Sequence, residues 1–91
     1  MRKVICIETK HYTLAPDEVA VEKGKVYTIK QVIQNPPSYE VDGQTYAPKE
    51  GNWFQFEETG ESKHYGGYFI QLPDNCTPLQ EESYRQLVNK M

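Results

Sequence analysis

The sequence has little of what usually identifies a protein quickly. Leu, Ile, Val and Phe together make only 19 of 91 residues, close to the composition below which chains stop burying enough surface to fold. No apolar run exceeds about four residues, the longest being Val4-Ile5-Cys6-Ile7. That is short of both a secretory core and a bilayer span, so the expected location is the cytoplasm. Two cysteines, Cys6 and Cys76, do not make a disulfide framework, and in that compartment they are expected to stay free thiols. Cations are also in deficit. Ten Lys and Arg against 13 Asp and Glu leave a net charge of −3, which disfavours nucleic acid as the partner because phosphate-backbone affinity rests on excess positive charge. Aromatic rings are the exception: seven Tyr, three Phe and one Trp. Each buries on the order of 150 to 250 Å², so aromatic packing is expected to carry the core. A chain of 91 residues has room for one domain, burying about 64% of its unfolded surface.

Hydrophobic patterning along this single domain, residues 1–91, reads as mainly β. Lys3 to Thr9 is a β-branched run suited to a strand covered on both faces. Lys10 to Lys23, with Pro16, Asp17 and Glu18, reads as a long, partly ordered loop. Lys25 to Gln34 is the strongest strand signal, and a bulge near Lys30-Gln31 would align Tyr27, Ile29 and Val32 inward. Asn35-Pro36-Pro37-Ser38 interrupts it. Asp42-Gly43 then suits a two-residue turn with positive φ at both positions, placing Tyr39 opposite Tyr46 in an inserted hairpin. In Asn52 to Glu57, alternation sends Phe54 and Phe56 to one face and Trp53, Gln55 and Glu57 to the other. Glu58 to Gly67 is expected to be a mobile loop, and Tyr68 to Leu72 a strand. Thr77-Pro78-Leu79-Gln80 has the form of a helix cap. The helix should span about residues 77–90, with Leu79, Tyr84, Leu87, Val88 and Met91 as its apolar stripe.

Short strands with neighbouring connections and a long first loop point to a small antiparallel barrel over residues 3–72 with a C-terminal helix. Val4-Ile5-Cys6-Ile7, the run Lys23 to Ile29, Gly43 and Tyr68 to Leu72 together resemble small SH3-like barrel proteins of bacteria and their phages. A fainter likeness runs to peptide-binding SH3 domains, through Lys23-Gly24, Trp53-Phe54 and Gly66-Gly67-Tyr68-Phe69. The Pro36 to Lys49 insertion and the terminal helix lie outside the latter plan, and their tyrosine-rich first motif is reduced to Tyr12. What the resemblance implies is a barrel, with recognition of proline-containing peptide by analogy.

No reaction is legible. His11, His64, Cys6 and Cys76 are the only soft ligands, and none stand at zinc-site spacing, so neither metal nor cofactor is expected. Glu57-Glu58 and Asp17-Glu18 are adjacent acids that read as solvated, and no phosphate-cradling glycine loop precedes a helix. The expected function is non-enzymatic: a binding or adaptor module recognising a protein or peptide through an aromatic surface. Trp53, alternating away from Phe54 and Phe56, is its centre; the resemblance to an SH3-like barrel implies that the loops carrying Tyr12, Tyr65 and Tyr68 lie beside it, with Asp17 and Glu18 as an acidic flank selecting a basic or proline-containing partner. The competing possibility is that the helix or the Tyr39-Tyr46 hairpin covers Trp53. Two alternatives remain: an RNA-binding barrel using Arg2, Lys3, Lys10, Lys23, Lys25 and Lys30, or an oligomer-forming accessory protein of a phage or mobile element.

Overall fold

The computed structural model describes residues 2–12 and 15–91. Among the described residues nine strands precede one α-helix: β1 (Lys3–Cys6), β2 (Lys10–His11), β3 (Val19–Val21), β4 (Val26–Gln34), β5 (Tyr39–Val41), β6 (Gln44–Tyr46), β7 (Asn52–Phe56), β8 (Lys63–Tyr65) and β9 (Phe69–Gln71), then α1 (Pro78–Asn89). Five of the strands form one antiparallel sheet in the order β8-β7-β4-β1-β9, while β2-β3 and β5-β6 pair only as separate hairpins. The protein is mainly β, as its patterning predicts.

The ladder does not close into the expected barrel among the described residues, because β8 and β9 stay as unpaired edges. Only a 3₁₀ turn, Gly66–Tyr68, separates them in the chain. Four residues reach at most about 14 Å, whereas the edges of a flat five-stranded sheet lie about 19 Å apart. The sheet must therefore roll. Its concave side shows the result: Phe56 on β7 and Phe69 on β9, three strand positions apart, have ring centroids 5.0 Å apart. The crossing is made by a helical turn in place of ladder hydrogen bonds, which leaves a rolled sheet with an open seam.

Both faces of β1 are buried, as its unbroken apolar run requires. Val4 and Cys6 join Tyr27, Val21 and Phe56 on the concave side. Ile5 points the other way, to Leu72 and Val88. The β4 bulge lies between Ile29 and Gln31, so Ile29 stands opposite Phe56 and Val32 opposite Phe54. The bulge sets the expected register, but Val32 remains 37% exposed because the core tapers toward that end of β4.

Three segments differ from the sequence reading. The expected loop from Lys10 to Lys23 holds the β2-β3 hairpin, whose Val21 is buried in the core; positions 13 and 14 of that loop lie outside the described residues. The expected loop from Glu58 to Gly67 contains β8, held to β7 by the pairs Trp53-Tyr65, Phe54-His64 and Gln55-Lys63. Gln55, expected outward with Trp53, is buried, and its Nε2 donates to the Glu61 carbonyl at 2.9 Å, tying that turn down.

Helix α1 begins as its residues dictate. The Thr77 hydroxyl accepts from the Gln80 amide at 3.2 Å, while the Thr77 amide donates to the Gln80 side chain at 2.8 Å. Only part of its apolar stripe is used. Tyr84 and Val88 pack toward Ile5 and Leu72, whereas Leu79, Leu87 and Met91 remain 83, 63 and 69% exposed. The small patch formed by Ile5 and Leu72 seats one ridge of the helix, residues 84 and 88, and no more. Its end docks on the turn before β4: Arg85 Nε donates to the Gly24 carbonyl at 3.1 Å, and Lys23 Nζ to the Met91 carbonyl at 2.8 Å. Gly24 has φ +85°, and a Cβ there would run into the Asn89 carboxamide. Gly24→Ala is therefore expected to cost about 1 to 3 kcal/mol from left-handed strain and overpacking, with partial recovery when Asn89→Ala is added. Urea denaturation midpoints measure both effects, and an unchanged midpoint in the single variant would place the helix end elsewhere.

Candidate functional site

The rolled sheet and its two hairpins enclose a cleft of about 620 Å³. One wall comes from the β2-β3 hairpin through Lys10, Tyr12 and Ala20, another from β5-β6 through Tyr39 and Tyr46, and the base from Trp53, Tyr65 and Tyr68. Local sequence explains how the β5-β6 wall arises. Asn35, at φ 45°, ends β4; its amide donates to the Gly51 carbonyl at 2.9 Å, and its Oδ1 accepts from the Gly51 amide at 2.7 Å. These bonds clamp the stem of the insertion. Prolines flank the hairpin on both sides, at Pro36-Pro37 and Pro48, and all three line the cleft. The Asp42-Gly43 turn, with φ of 50° and 80°, folds the hairpin back so that Tyr39 and Tyr46 stack at 5.4 Å.

Trp53 and Tyr65 face each other across β7-β8, ring centroids 5.6 Å apart, and Tyr65 meets Tyr68 edge-on at 5.3 Å. The Trp53 indole Nε1 donates to the Lys49 carbonyl at 2.8 Å, which fixes the ring and leaves it half-buried. Helix α1 does not cover it, since the helix packs on Ile5 and Leu72. The Tyr39-Tyr46 hairpin stands over the same cleft as a wall.

Of the residues singled out by sequence, Tyr12, Trp53, Tyr65 and Tyr68 all line this one cleft. Asp17 and Glu18 do not; they are exposed in the turn region of the β2-β3 hairpin. The charged lining is instead Lys10, Lys49, Lys63 and Glu61. Lys10 Nζ lies 4.4 Å from the Tyr68 ring centroid, and Lys49 Nζ 5.4 and 5.7 Å from those of Tyr65 and Tyr68. A hydrogen bond from Lys10 to the Glu8 carboxylate raises the pKa of its ammonium above the ordinary lysine value. A lysine two residues before a tyrosine, as in Lys10-His11-Tyr12 and Lys63-His64-Tyr65, is the sequence signal for two of these cations, each in a segment that reads as loop; Lys49 carries no such signal.

His64, which the sequence offers only as an isolated soft ligand, also lines the cleft. Opposite Phe54 in the ladder, it is buried, stacks on Phe56 at 5.3 Å, and shares a hydrogen bond with the Thr59 hydroxyl at 3.0 Å. Burial pushes its pKa below the usual histidine value. The unfolded chain therefore takes up the proton first, and folding stability should fall as pH drops below about 6.5, levelling off below the folded-state pKa. Thermal melts between about pH 8 and 5 should show this slope in the wild type and a flatter one in His64→Gln; equal slopes would contradict the burial.

Cys6, Cys76 and Tyr27 lie outside this cleft lining. Cys6 is buried and donates to the Glu8 carbonyl at 3.0 Å, with its pKa raised by burial, while Cys76 packs beside the separate cluster around Ile5, so the two thiols belong to opposite faces of β1. The buried Tyr27 hydroxyl accepts from the Glu22 amide at 2.9 Å, and burial raises its pKa as well. Among the described residues no three His, Cys, Asp or Glu side chains gather to hold a metal ion, and no helix is long and apolar enough to cross a membrane. In comparisons with known proteins, no family model, no curated protein and no solved structure matches the chain.

Proposed function

We propose that this chain is a non-enzymatic binding or adaptor module of SH3-like type, similar to the small barrel proteins of bacteria and their phages, acting in the cytoplasm. Its aromatic cleft receives an extended, proline-containing segment of a protein. The observation that carries this reading is the convergence of Tyr12, Trp53, Tyr65 and Tyr68, drawn from three separate parts of the chain, on one open cleft. Flat rings on several sides suit a polyproline II segment, which arrives already ordered and offers apolar ridges to aromatic grooves. The order β8-β7-β4-β1-β9, the hairpin in the first long loop and the 3₁₀ turn before the last strand support the SH3-like part of the reading.

Selection of a random peptide library on the immobilised protein tests it. Enrichment of proline-containing sequences, competed away by the free protein, is the expected result. Recovery no better than from a blank surface, or enrichment of sequences without proline, would contradict it.

A further inference from the structure

We infer that the peptide taken by this cleft is acidic, carrying carboxylates beside its apolar positions, and that Lys10, Lys49 and Lys63 read them. The inference rests on the cleft being a peptide site, and adds the sign of its charge.

Three of the four charged side chains on the lining are lysines. The fourth, Glu61, is already engaged by Lys30, whose Nζ stands 3.4 Å from its Oε1. Lys10 shares its charge with Glu8 at 3.2 Å. Lys49 and Lys63, both exposed, make no ion pair among the described residues. Two uncompensated cations thus stand at an aromatic wall. Lys49 reaches the Tyr68 hydroxyl at 3.4 Å, and Lys63 lies two residues before Tyr65 on β8, so both project to the same side of that strand. An apolar peptide residue on Trp53 and Tyr65 would place a neighbouring carboxylate within reach of Lys63, and one at Tyr68 would meet Lys10 and Lys49 together.

Charge outside the cleft distinguishes a peptide from a nucleic acid strand. The chain carries −3 overall and its cleft lining +2, leaving −5 on the rest of the surface. A single-stranded nucleic acid long enough to leave the cleft meets that net negative charge outside it. A short acidic peptide confines its charge to the three lysines, which favours the peptide.

The probes are the peptide enriched from the random library, synthesised with glutamate, glutamine or lysine flanks, and an oligouridylate of similar length. Titrations follow Trp53 fluorescence at low and high salt. The glutamate form should bind roughly tenfold more tightly than the lysine form at low salt, with the gap shrinking at high salt. In the double variant Lys49→Glu/Lys63→Glu the preference should invert, the lysine form then binding more tightly than the glutamate form. Equal affinity for all three flanks, or a preference unmoved by the charge reversal, overturns the acidic assignment alone. Failure of every peptide on folded protein overturns the peptide reading beneath it. Tighter binding of oligouridylate than of the glutamate peptide assigns the lysines to nucleic acid and overturns the inference as well.

Discussion

Phe56→Ala should bring the domain close to unfolding. Phe56 is fully buried, and its ring meets Tyr27 and Phe69 at 5.0 Å, His64 at 5.3 Å and Phe54 at 6.0 Å. These partners come from β4, β7, β8 and the last strand β9, so one ring contacts side chains around most of the rolled sheet. Replacing a buried Phe by Ala costs about 3 to 5 kcal/mol in lost transfer energy and residual cavity. A chain of this size holds only about 5 to 14 kcal/mol in total. The melting temperature should fall by about 20 °C, with Phe56→Leu losing roughly half as much. A fall of only a few degrees would mean that the sheet is not wrapped around this side chain.

That ring was legible in the sequence because Phe54-Gln55-Phe56 alternates cleanly, and the bulge in β4 was legible because Tyr27, Ile29 and Val32 do not share one alternation. The Asp42-Gly43 turn and the Thr77 cap are local chemistry, complete within four residues, and the structure contains both. What the sequence did not disclose was non-local. Lys63-His64-Tyr65 has little β signature of its own and becomes a strand because β7 offers an edge to pair with. Gln55 reads as outward by alternation and is buried because the following turn folds over it. The helix reads as having a narrow stripe of five apolar residues, yet the patch beneath it takes only Tyr84 and Val88. The candidate site divides in the same way. Trp53 followed from alternation with Phe54 and Phe56, and Tyr12, Tyr65 and Tyr68 from the loops that the barrel resemblance sets beside it, whereas the lysines that give the cleft its charge depend on how separate segments approach it.

Trp53→Ala should abolish most of the binding without unfolding the protein. The indole is half-buried, outside the aromatic core, and its internal ties are the hydrogen bond to the Lys49 carbonyl and the packing on Tyr65. Losing that bond is worth about 1 kcal/mol of stability. A tryptophan at the centre of an interface costs at least about 2 kcal/mol of binding when truncated, a loss of roughly thirtyfold in affinity. Trp53→Phe keeps a ring but not the Nε1 donor, and should fall between. Calorimetric titration with the library-selected peptide, alongside circular dichroism of each variant, checks the order. Full affinity in a folded Trp53→Ala would move the binding surface elsewhere, and an unfolded variant would make Trp53 a structural residue.

The most direct test is amide chemical-shift mapping of the isotope-labelled protein during titration with the selected peptide. The largest changes should fall on Tyr12, Trp53 and its indole N–H, Tyr65 and Tyr68, while Leu79, Tyr84 and Val88 on the helix stay still. Changes gathered on the helix, or scattered over the sheet with none at Trp53, would contradict the cleft as the binding site.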